Sequence, residues 1–308
     1  MNQPTMIVDT DPGHDDAIAL ILAHHYANVV GITTVAGNTR IEDTTRNAQR
    51  LTQLLEVDTP VHKGSALPLQ GGADFATAVH GQDGLGGIEL PEPTRDIASD
   101  SAIEYLLDMA APDLWVVAIG PLTNIAHVLA RDPEWIRKIA GLSIMGGATH
   151  GGNVTASAEF NIYFDPEAAD RVFQAGGNVM LSGLNLTHQV QVSAEEARTR
   201  CAGVPNTDQN EFVRLNFDRL IRTLAGLTGT DEVAMHDPVA VLAVTHPHLF
   251  QFQPREISVE LTGTLTRGMT VVDERLRIKD FTPHVNVGYH ADVESVKDTI
   301  FNGLFTTA

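Results

Sequence analysis

Residues 6–26 read MIVDTDPGHDDAIALILAHHY, and this order of elements decides the fold class. A short apolar, β-branched run is followed by a Pro-Gly turn and then by a longer helical pattern. The same order returns in "VVGITTV" with "IEDTTRNAQRLTQLLE" and in "LWVVAIG" with "PLTNIAHVLAR", and "IAGLSIM" and "NVMLSGL" add two further apolar runs. Continuous apolar strands separated by helices are typical of a parallel sheet covered on both faces. The sequence therefore predicts an α/β protein with a mostly parallel central sheet and helices on both faces.

The C-terminal part carries a different pattern. "EISVELTG" and "GMTVVDE" flank a connection that contains Gly and predict a hairpin, and "HVNVGYH" predicts one more strand. We therefore expect a small antiparallel β element near the C-terminus. Because no repeat, low-complexity tract or linker interrupts the chain, residues 1–308 are expected to form a single domain.

Charge and cysteine content narrow the classes of partner. The 308 residues include 20 Lys and Arg against 39 Asp and Glu, a formal charge of −19 that repels nucleic-acid and membrane phosphates. Cys201 is the only cysteine, which excludes an intramolecular disulfide and any C-x-x-C pair and fits a reducing compartment. The first ten residues lack the basic and apolar regions of an export signal. We expect a cytoplasmic protein that binds neither nucleic acid nor a membrane.

The first strand is followed by an unusual concentration of acidic residues. Asp11, Asp15 and Asp16 lie close together beside an apolar run. Two of them suit the first turn of a helix, where carboxylates complement the helix dipole. That explanation leaves Asp11 unexplained, with Pro12 and Gly13 shaping the turn. A hard cation with oxygen ligands, Ca²⁺ or Mg²⁺, would offset the repulsion between the carboxylates.

Polar residues also follow the other strands. Gly37 and Asn38 follow the second, residues 121–124 the third, and residues 146–147 the fourth. Since ligands of open parallel sheets bind outside the carboxyl ends of the strands, these segments are expected to meet at one rim.

Other motifs have simpler explanations when each is taken alone. Asp237 before a proline is typical of an N-cap, and residues 153–161 of a solvated loop that leads to a helix capped by Asp165. "HGQDGLGG" contains His80 but matches neither the dinucleotide fingerprint nor the P-loop.

In combination, these motifs closely resemble the inosine-uridine-preferring nucleoside hydrolases. The resemblance is carried, in the family's order, by "DTDPGHDDAIAL", "TTVAGN", "HGQDGLGG", "AIGPLTNIA", "IMGGA", "AEFNIYFDPEAA" and "MHDPVAV". It implies the nucleoside hydrolase fold with its Rossmann-like core, and hydrolysis of the N-glycosidic bond of purine or pyrimidine ribonucleosides. It further implies one bound Ca²⁺ and a homo-oligomer, either a dimer or a tetramer.

The resemblance also assigns roles to residues of this chain. It places Ca²⁺ on Asp11, Asp16, Asp237 and the main-chain carbonyl of Thr123. Asp11 would also act as general base, and His236 or His80 would protonate the leaving base. The implied substrate-binding residues are Asp15, Asn38, Met145, Asn153, Glu159, Phe160 and Asn161.

The residue types fit this chemistry. Cleavage of the bond develops oxocarbenium-like positive charge on the sugar, which an acidic cavity stabilises. In several relatives, the helical segment before the His-Asp pair carries tyrosines or other polar residues that contact or protonate the leaving base. The corresponding residues here, 210–234, contain no Tyr, and Arg222, Thr223 and Thr228 have no clear counterpart. The base preference therefore stays open.

Two other functions compete with this interpretation. "DTD" after a strand also fits the aspartyl nucleophile of a Mg²⁺-dependent phosphohydrolase, although that family's downstream Lys and acidic motif is missing. The third possibility is a non-catalytic Ca²⁺-dependent nucleoside or ribose sensor, against which the retained Asp11 argues.

Overall fold

The computed structural model describes residues 3–275 and 284–306. The strands are β1 (Thr5–Thr10), β2 (Asn28–Thr34), β3 (Val61–Lys63), β4 (Leu114–Ala118), β5 (Gly141–Met145), β6 (Val179–Ser182), β7 (Gln191–Ser193), β8 (Glu232–Ala234), β9 (Phe250–Arg255), β10 (Ile257–Val259), β11 (Thr270–Val272) and β12 (Val285–Ala291). The helices are α1 (His14–Tyr26), α2 (Ile41–Leu54), α3 (Thr77–His80), α4 (Ala102–Asp108), α5 (Thr123–Arg131), α6 (Phe160–Phe164), α7 (Pro166–Gln174), α8 (Leu184–Thr187), α9 (Ala194–Arg200), α10 (Asp208–Thr228), α11 (His236–Thr245) and α12 (Val293–Leu304).

The central sheet has eight strands in the order β3-β2-β1-β4-β5-β6-β12-β9. Every pairing in it is parallel except that of β12 with β9 at the edge. The predicted α/β class and the mostly parallel sheet are confirmed.

Helices pack on both faces of this sheet. Successive side chains of β1 point to opposite faces and pack into two separate hydrophobic cores. Met6 and Val8 pack with α1, α10, α11 and α12 on one face, and Ile7 packs with α4, α5 and α7 on the other. All three side chains are fully buried, as expected for a central strand of a parallel sheet.

The predicted C-terminal hairpin is present as the antiparallel pair of β10 and β11, and "HVNVGYH" forms most of β12. The edge strand β9 and the second antiparallel pair, β7 with β8, were not predicted. Their short or only partly buried sequences lack the continuous apolar run that marked the central strands.

The order of the strands brings the predicted rim together. The chain runs outward from β1 through β2 to β3 and then returns to β4 on the other side of β1. The order in which strands are added to the sheet therefore reverses between β1 and β4. Such a reversal opens a crevice at the carboxyl ends of the strands. Asp11 follows β1, and Thr123 begins the helix after β4. Within the described part of the chain, no helix has both the length and the apolar character needed to cross a bilayer.

Candidate active site

Asp11 lies at the carboxyl end of β1, and its side chain is buried. The main-chain N–H of Asn38 donates a hydrogen bond to Oδ2 at 2.6 Å. A Cβ atom on Gly37 would lie 2.1 Å from Oδ2, and one on Gly120 would lie 2.4 Å from Oδ1, so glycine is required on both sides. Oδ1 is buried and has no hydrogen-bond partner among residues 3–275 and 284–306. A buried carboxylate oxygen without a donor is a position where a cation or a bound ligand is expected.

The carboxylates of Asp15, Asp16 and Asp237 converge beside Asp11, with one oxygen from each lying within 4.8 Å of the others. Asp15 and Asp16 belong to the first turn of α1, as predicted, and Asp237 comes from α11, more than two hundred residues later. This group can hold a metal ion. The predicted metal set contained Asp11 and not Asp15, whereas the group of three carboxylates within 4.8 Å of one another contains Asp15 and not Asp11.

Burial raises the pKa of every carboxyl group in this cluster. The pKa of Asp11 and that of Asp237 lie well above their usual range, first because of desolvation and then because of neighbouring aspartates. The same two causes raise the pKa of Asp15 to about 7, and desolvation also raises that of Asp16. A cation that binds oxygen ligands would offset the cost of ionising these carboxyl groups, since a positive charge stabilises each ionised form. The residues present therefore fit a divalent metal.

Asp237 is not the helix cap that its proline neighbour suggested. α11 begins at His236, and its N-cap is Met235, which makes no capping hydrogen bond. Asp237 therefore lies inside the first turn, with its side chain directed to Asp16 rather than to the helix N–H groups. The cap interpretation was wrong because the side chain of Asp237 lies beside the carboxyl groups of Asp15 and Asp16 on α1, which the local sequence cannot indicate.

Asp16 and Asn38 link the segments that follow β1 and β2. Asp16 Oδ1 accepts from Thr10 Oγ1 at 2.6 Å, and Oδ2 accepts from the Gly13 N–H at 2.9 Å. The amide nitrogen of Asn38 donates to Asp16 Oδ2 at 2.9 Å and to the Asp11 carbonyl at 3.1 Å. Asn38, predicted to bind ribose, thus orients the acidic residues through its amide group.

Thr123 is the buried first residue of α5. Its hydroxyl donates to Asp165 Oδ2 at 2.7 Å, an oxygen that also accepts the Leu69 N–H at 2.8 Å. Oδ1 of Asp165 accepts the N–H of Ala168 at 3.1 Å, which confirms the predicted cap of α7 with Pro166 in the first turn. Asp165 therefore joins the start of α5 to two other segments.

Residues 153–157 form the irregular, largely exposed loop that their weak periodicity suggested, whereas residues 158–161 are buried or half-buried and lead into α6. Glu159 caps α6, with Oε1 accepting the Asn161 N–H at 3.0 Å and Oε2 the Gly147 N–H at 2.8 Å. Asn161 donates to the Met145 carbonyl at 3.2 Å. Glu159, Asn161 and Met145 are buried, and desolvation raises the pKa of Glu159 to about 7.

Phe160 and Asn153 are the other two predicted residues of this segment. Phe160 is half-buried, and its N–H donates to Oδ1 of the exposed Asn153 at 2.9 Å. The negative charge of Glu159 also raises the pKa of Asp15, so this segment and the acidic cluster face each other.

His80 ends α3 and is buried against the start of α1. Its Nδ1 accepts the main-chain N–H of His14 at 3.2 Å. His14 is in turn held by Asn216 of α10, which accepts from His14 Nδ1 at 2.7 Å and donates to the His14 carbonyl at 2.8 Å. Burial, followed by the rings of His14 and His236, lowers the pKa of His80 to about 3.

His236 precedes Asp237, and its Nδ1 shares a 2.8 Å hydrogen bond with the hydroxyl of Thr187 in α8. Desolvation, followed by the nearby His188, lowers the pKa of His236 to about 3. A hydroxyl can donate to a neutral imidazole or accept from a protonated one, so this partner serves either state. Both predicted proton donors therefore lie near the acidic cluster.

His14, Asn216 and Thr187 were not predicted as site residues. His14 stands inside the acidic motif, which was a usable signal, whereas Asn216 and Thr187 carry no local pattern and gain their partners only through the fold. Arg222, one of the three polar residues named in the segment before the His-Asp pair, is largely exposed and pairs with Asp218 at 2.9 Å.

Comparison with known proteins identifies the family. The family model described as "Inosine-uridine preferring nucleoside hydrolase" matches residues 6–298. The chain belongs to this family. The pyrimidine-specific ribonucleoside hydrolase RihA of Salmonella typhi is 42% identical over 276 residues, covering 87% of this chain and 88% of that protein. RihA of Shigella boydii serotype 4 is 39% identical over 307 residues, covering 97% of each chain.

Solved structures of nucleoside hydrolases share the fold. The purine-preferring ribonucleoside hydrolase from Gardnerella vaginalis superposes with a TM-score of 0.91 at 31% identity, covering 97% of this chain and 98% of that one. The present protein is a ribonucleoside hydrolase, and its substrates are small-molecule ribonucleosides. Family membership thus favours hydrolysis over the phosphohydrolase and sensor alternatives.

Proposed function

We propose that this enzyme hydrolyses the N-glycosidic bond of pyrimidine ribonucleosides in a Ca²⁺-dependent reaction. The observation that supports pyrimidines is the 42% identity to RihA, described as pyrimidine-specific, across 87% of the chain. The purine-preferring neighbour is 31% identical. Uridine and cytidine are therefore the expected substrates.

The proposed metal ligands are the carboxylates of Asp11, Asp16 and Asp237 and the main-chain carbonyl of Thr123. Three features support this assignment: the orphaned Oδ1 of Asp11, the converging carboxylates of α1 and α11, and the raised pKa values around them. Ca²⁺ accepts six to eight oxygen ligands in flexible geometry, so protein oxygens, a ribose diol and water can share the ion. When bound, Ca²⁺ supplies positive charge that stabilises the ionised carboxylates and makes the attacking water more acidic.

Asp11 is the proposed general base. Its Oδ2 is held by the Asn38 N–H, whereas Oδ1 has no partner within the described residues. Because a carboxylate oxygen has two lone pairs, Oδ1 can contact the ion and still take a proton from water. A fixed orientation of this kind favours proton transfer at one atom.

The ribose lies, in this proposal, between the acidic cluster and the segment that ends β5. Asp15 accepts from a ribose hydroxyl near the metal, and Glu159 and Asn161, with Asn153, bind the rest of the sugar. Asn38 holds Asp11 and Asp16 in place, and Met145 and Phe160 line the ribose and base pocket. The negative charge of these residues stabilises the positive charge that develops on the sugar as the C–N bond breaks.

The leaving base departs on the side of the two histidines. His236 is the proposed proton donor, because its Nδ1 partner is a hydroxyl that accommodates both protonation states. The proton is given from Nε2, which makes no hydrogen bond within the described residues.

A reducing-sugar assay across uridine, cytidine, inosine, adenosine, guanosine and xanthosine tests the substrate range. We expect ribose release from uridine and cytidine at higher kcat/KM than from any purine nucleoside. A higher kcat/KM for inosine or guanosine would contradict the pyrimidine assignment while leaving N-glycosidic hydrolysis in place.

Three other expectations remain proposals. A single domain over residues 1–308 is supported by the central sheet, whose strands come from residues 5–291. A homo-oligomer is supported only by the resemblance, and light scattering coupled to gel filtration tests it. A cytoplasmic location is supported by the single cysteine and is tested by cell fractionation.

A further inference from the structure

His80 and His236 differ in the chemistry of their Nδ1 partners. His236 faces a hydroxyl, whereas Nδ1 of His80 accepts a main-chain N–H, a group that can only donate. The two histidines therefore cannot play interchangeable roles.

The hydrogen bond from His14 determines where the proton of the neutral His80 ring lies. A ring nitrogen that accepts a hydrogen bond carries no proton, so the proton must be on Nε2. Protonation of the ring would place a second N–H opposite that of His14, so that two donors would face each other. The contact thus selects one tautomer and disfavours the charged imidazole.

The fold gives the main chain of His14 little freedom to move away. Asn216 binds both its side chain and its carbonyl, so the first residue of α1 is attached to α10 at two points. The His80 ring also lies close to Gly13, the residue before His14, since a Cβ on Gly13 would lie 2.4 Å from Nδ1 of His80.

Nε2 of His80 is the end of the ring that is free to act. It makes no hydrogen bond within residues 3–275 and 284–306. The Nε2 atoms of His14 and His62 are also unpaired but are closed off from solvent, whereas Nε2 of His80 is not. The ring also lies close enough to His236 to be influenced by its charge.

We propose that His80 is a specificity-determining residue that donates a hydrogen bond from Nε2–H to an acceptor atom of the leaving base, such as a pyrimidine carbonyl oxygen, and delivers no proton to it. This inference rests on the proposed nucleoside hydrolysis. It separates His80 from His236, the proposed leaving-group acid.

The groups around His80 keep its imidazole neutral. The rings of His14 on α1 and His236 on α11 both act against a positive charge, and burial acts in the same direction. Asp83, on the loop after α3, and Arg219, on α10, act on His14 with opposite signs. Burial lowers the pKa of His236 as well, so the two rings differ in their Nδ1 partners: the His14 N–H cannot accept a hydrogen bond from His80, whereas the Thr187 hydroxyl can accept one from His236.

Nuclear magnetic resonance of protein labelled with ¹⁵N-histidine tests the tautomer directly, and it does so independently of turnover. The His80 signals are assigned by their loss in His80→Gln, and spectra are recorded with and without added Ca²⁺ from neutral pH down through the ordinary imidazole pKa of about 6.5. We expect a neutral ring with its proton on Nε2 throughout. A proton on Nδ1, or an imidazolium ion near neutral pH, would overturn the proposal.

Kinetics of matched variants test the role. His80→Gln retains a donor near the Nε2 position but cannot titrate, whereas His80→Leu retains bulk without a donor. On uridine, we expect His80→Leu to lower kcat/KM about tenfold to a hundredfold and His80→Gln to recover most of that loss. Equal losses in the two variants would overturn the role as a donor.

Two controls separate this proposal from the proposed function. p-Nitrophenyl riboside, whose leaving group needs no proton and offers no base, should be cleaved equally by the parent and both variants. His24→Gln replaces a half-buried histidine whose ring bonds Leu20 and Thr59, and it should leave uridine turnover unchanged. If the parent cleaves neither riboside, the hydrolase assignment fails, while the tautomer measurement still decides the state of His80.

Discussion

The main-chain N–H of Asn38 holds Oδ2 of Asp11 at 2.6 Å, while Oδ1 of the same carboxylate is buried without a partner in the described part of the chain. One oxygen therefore orients the side chain, and the other is left for chemistry. This division is the basis of the role proposed for Asp11.

Asp11→Asn tests that role with little change in shape, because the amide oxygen can still accept the Asn38 N–H. Loss of the proton acceptor should lower kcat on uridine by about 10²- to 10⁴-fold, measured as ribose release. Asp58→Asn is the control, since that side chain is 93% exposed. Comparable activity in both variants would remove Asp11 from the mechanism.

His236→Ala should distinguish proton donation from support of the fold. We expect kcat on uridine to fall by about 10²- to 10⁴-fold, with p-nitrophenyl riboside much less affected, because nitrophenolate leaves without a proton. Equal losses on the two substrates would show that His236 positions the sugar or stabilises the structure instead.

Thr187 is expected to act through His236 as a positioning residue. Thr187→Val removes the hydroxyl that bonds Nδ1 at 2.8 Å and leaves a buried nitrogen unpaired. Its kcat on uridine should fall about tenfold, with p-nitrophenyl riboside nearly unchanged, and Thr187→Ser should restore the rate on uridine. A purely structural role would lower turnover of both substrates together.

The strands that carry the site were predictable from sequence because each is a continuous apolar run followed by polar residues. That pattern predicts that Asp11, Asn38 and Thr123 lie at one rim of the sheet. The edge strand β9 was missed, since Phe250 is its only buried residue and the run contains Pro254.

Contacts between distant segments account for the rest of what the sequence could not predict. Asn216 lies 202 residues from His14, and Thr187 lies 49 residues from His236, so no local periodicity connects the partners. Asp237 looked like a helix cap for the same reason, because its acidic neighbours are on α1.

Selectivity for ribose is the fourth expectation and depends on Asp15. A deoxyribonucleoside lacks the 2' hydroxyl that the proposal places near the metal, which leaves the Asp15 carboxylate underpaired. Discrimination in kcat/KM between uridine and deoxyuridine should be at least about tenfold to a hundredfold. Asp15→Asn should slow uridine and narrow that gap, and similar turnover of both sugars by the parent would contradict the arrangement.

The acidic cluster makes metal removal the most direct test of the whole account. Uridine hydrolysis is measured as ribose release from the parent protein, from protein treated exhaustively with a strong chelator, and from treated protein after addition of Ca²⁺ or Mg²⁺. The account predicts that chelation abolishes turnover and that Ca²⁺ restores it, because the carboxylates of Asp11, Asp16 and Asp237 need a cation to stay ionised. Full turnover of uridine by metal-free protein would contradict it.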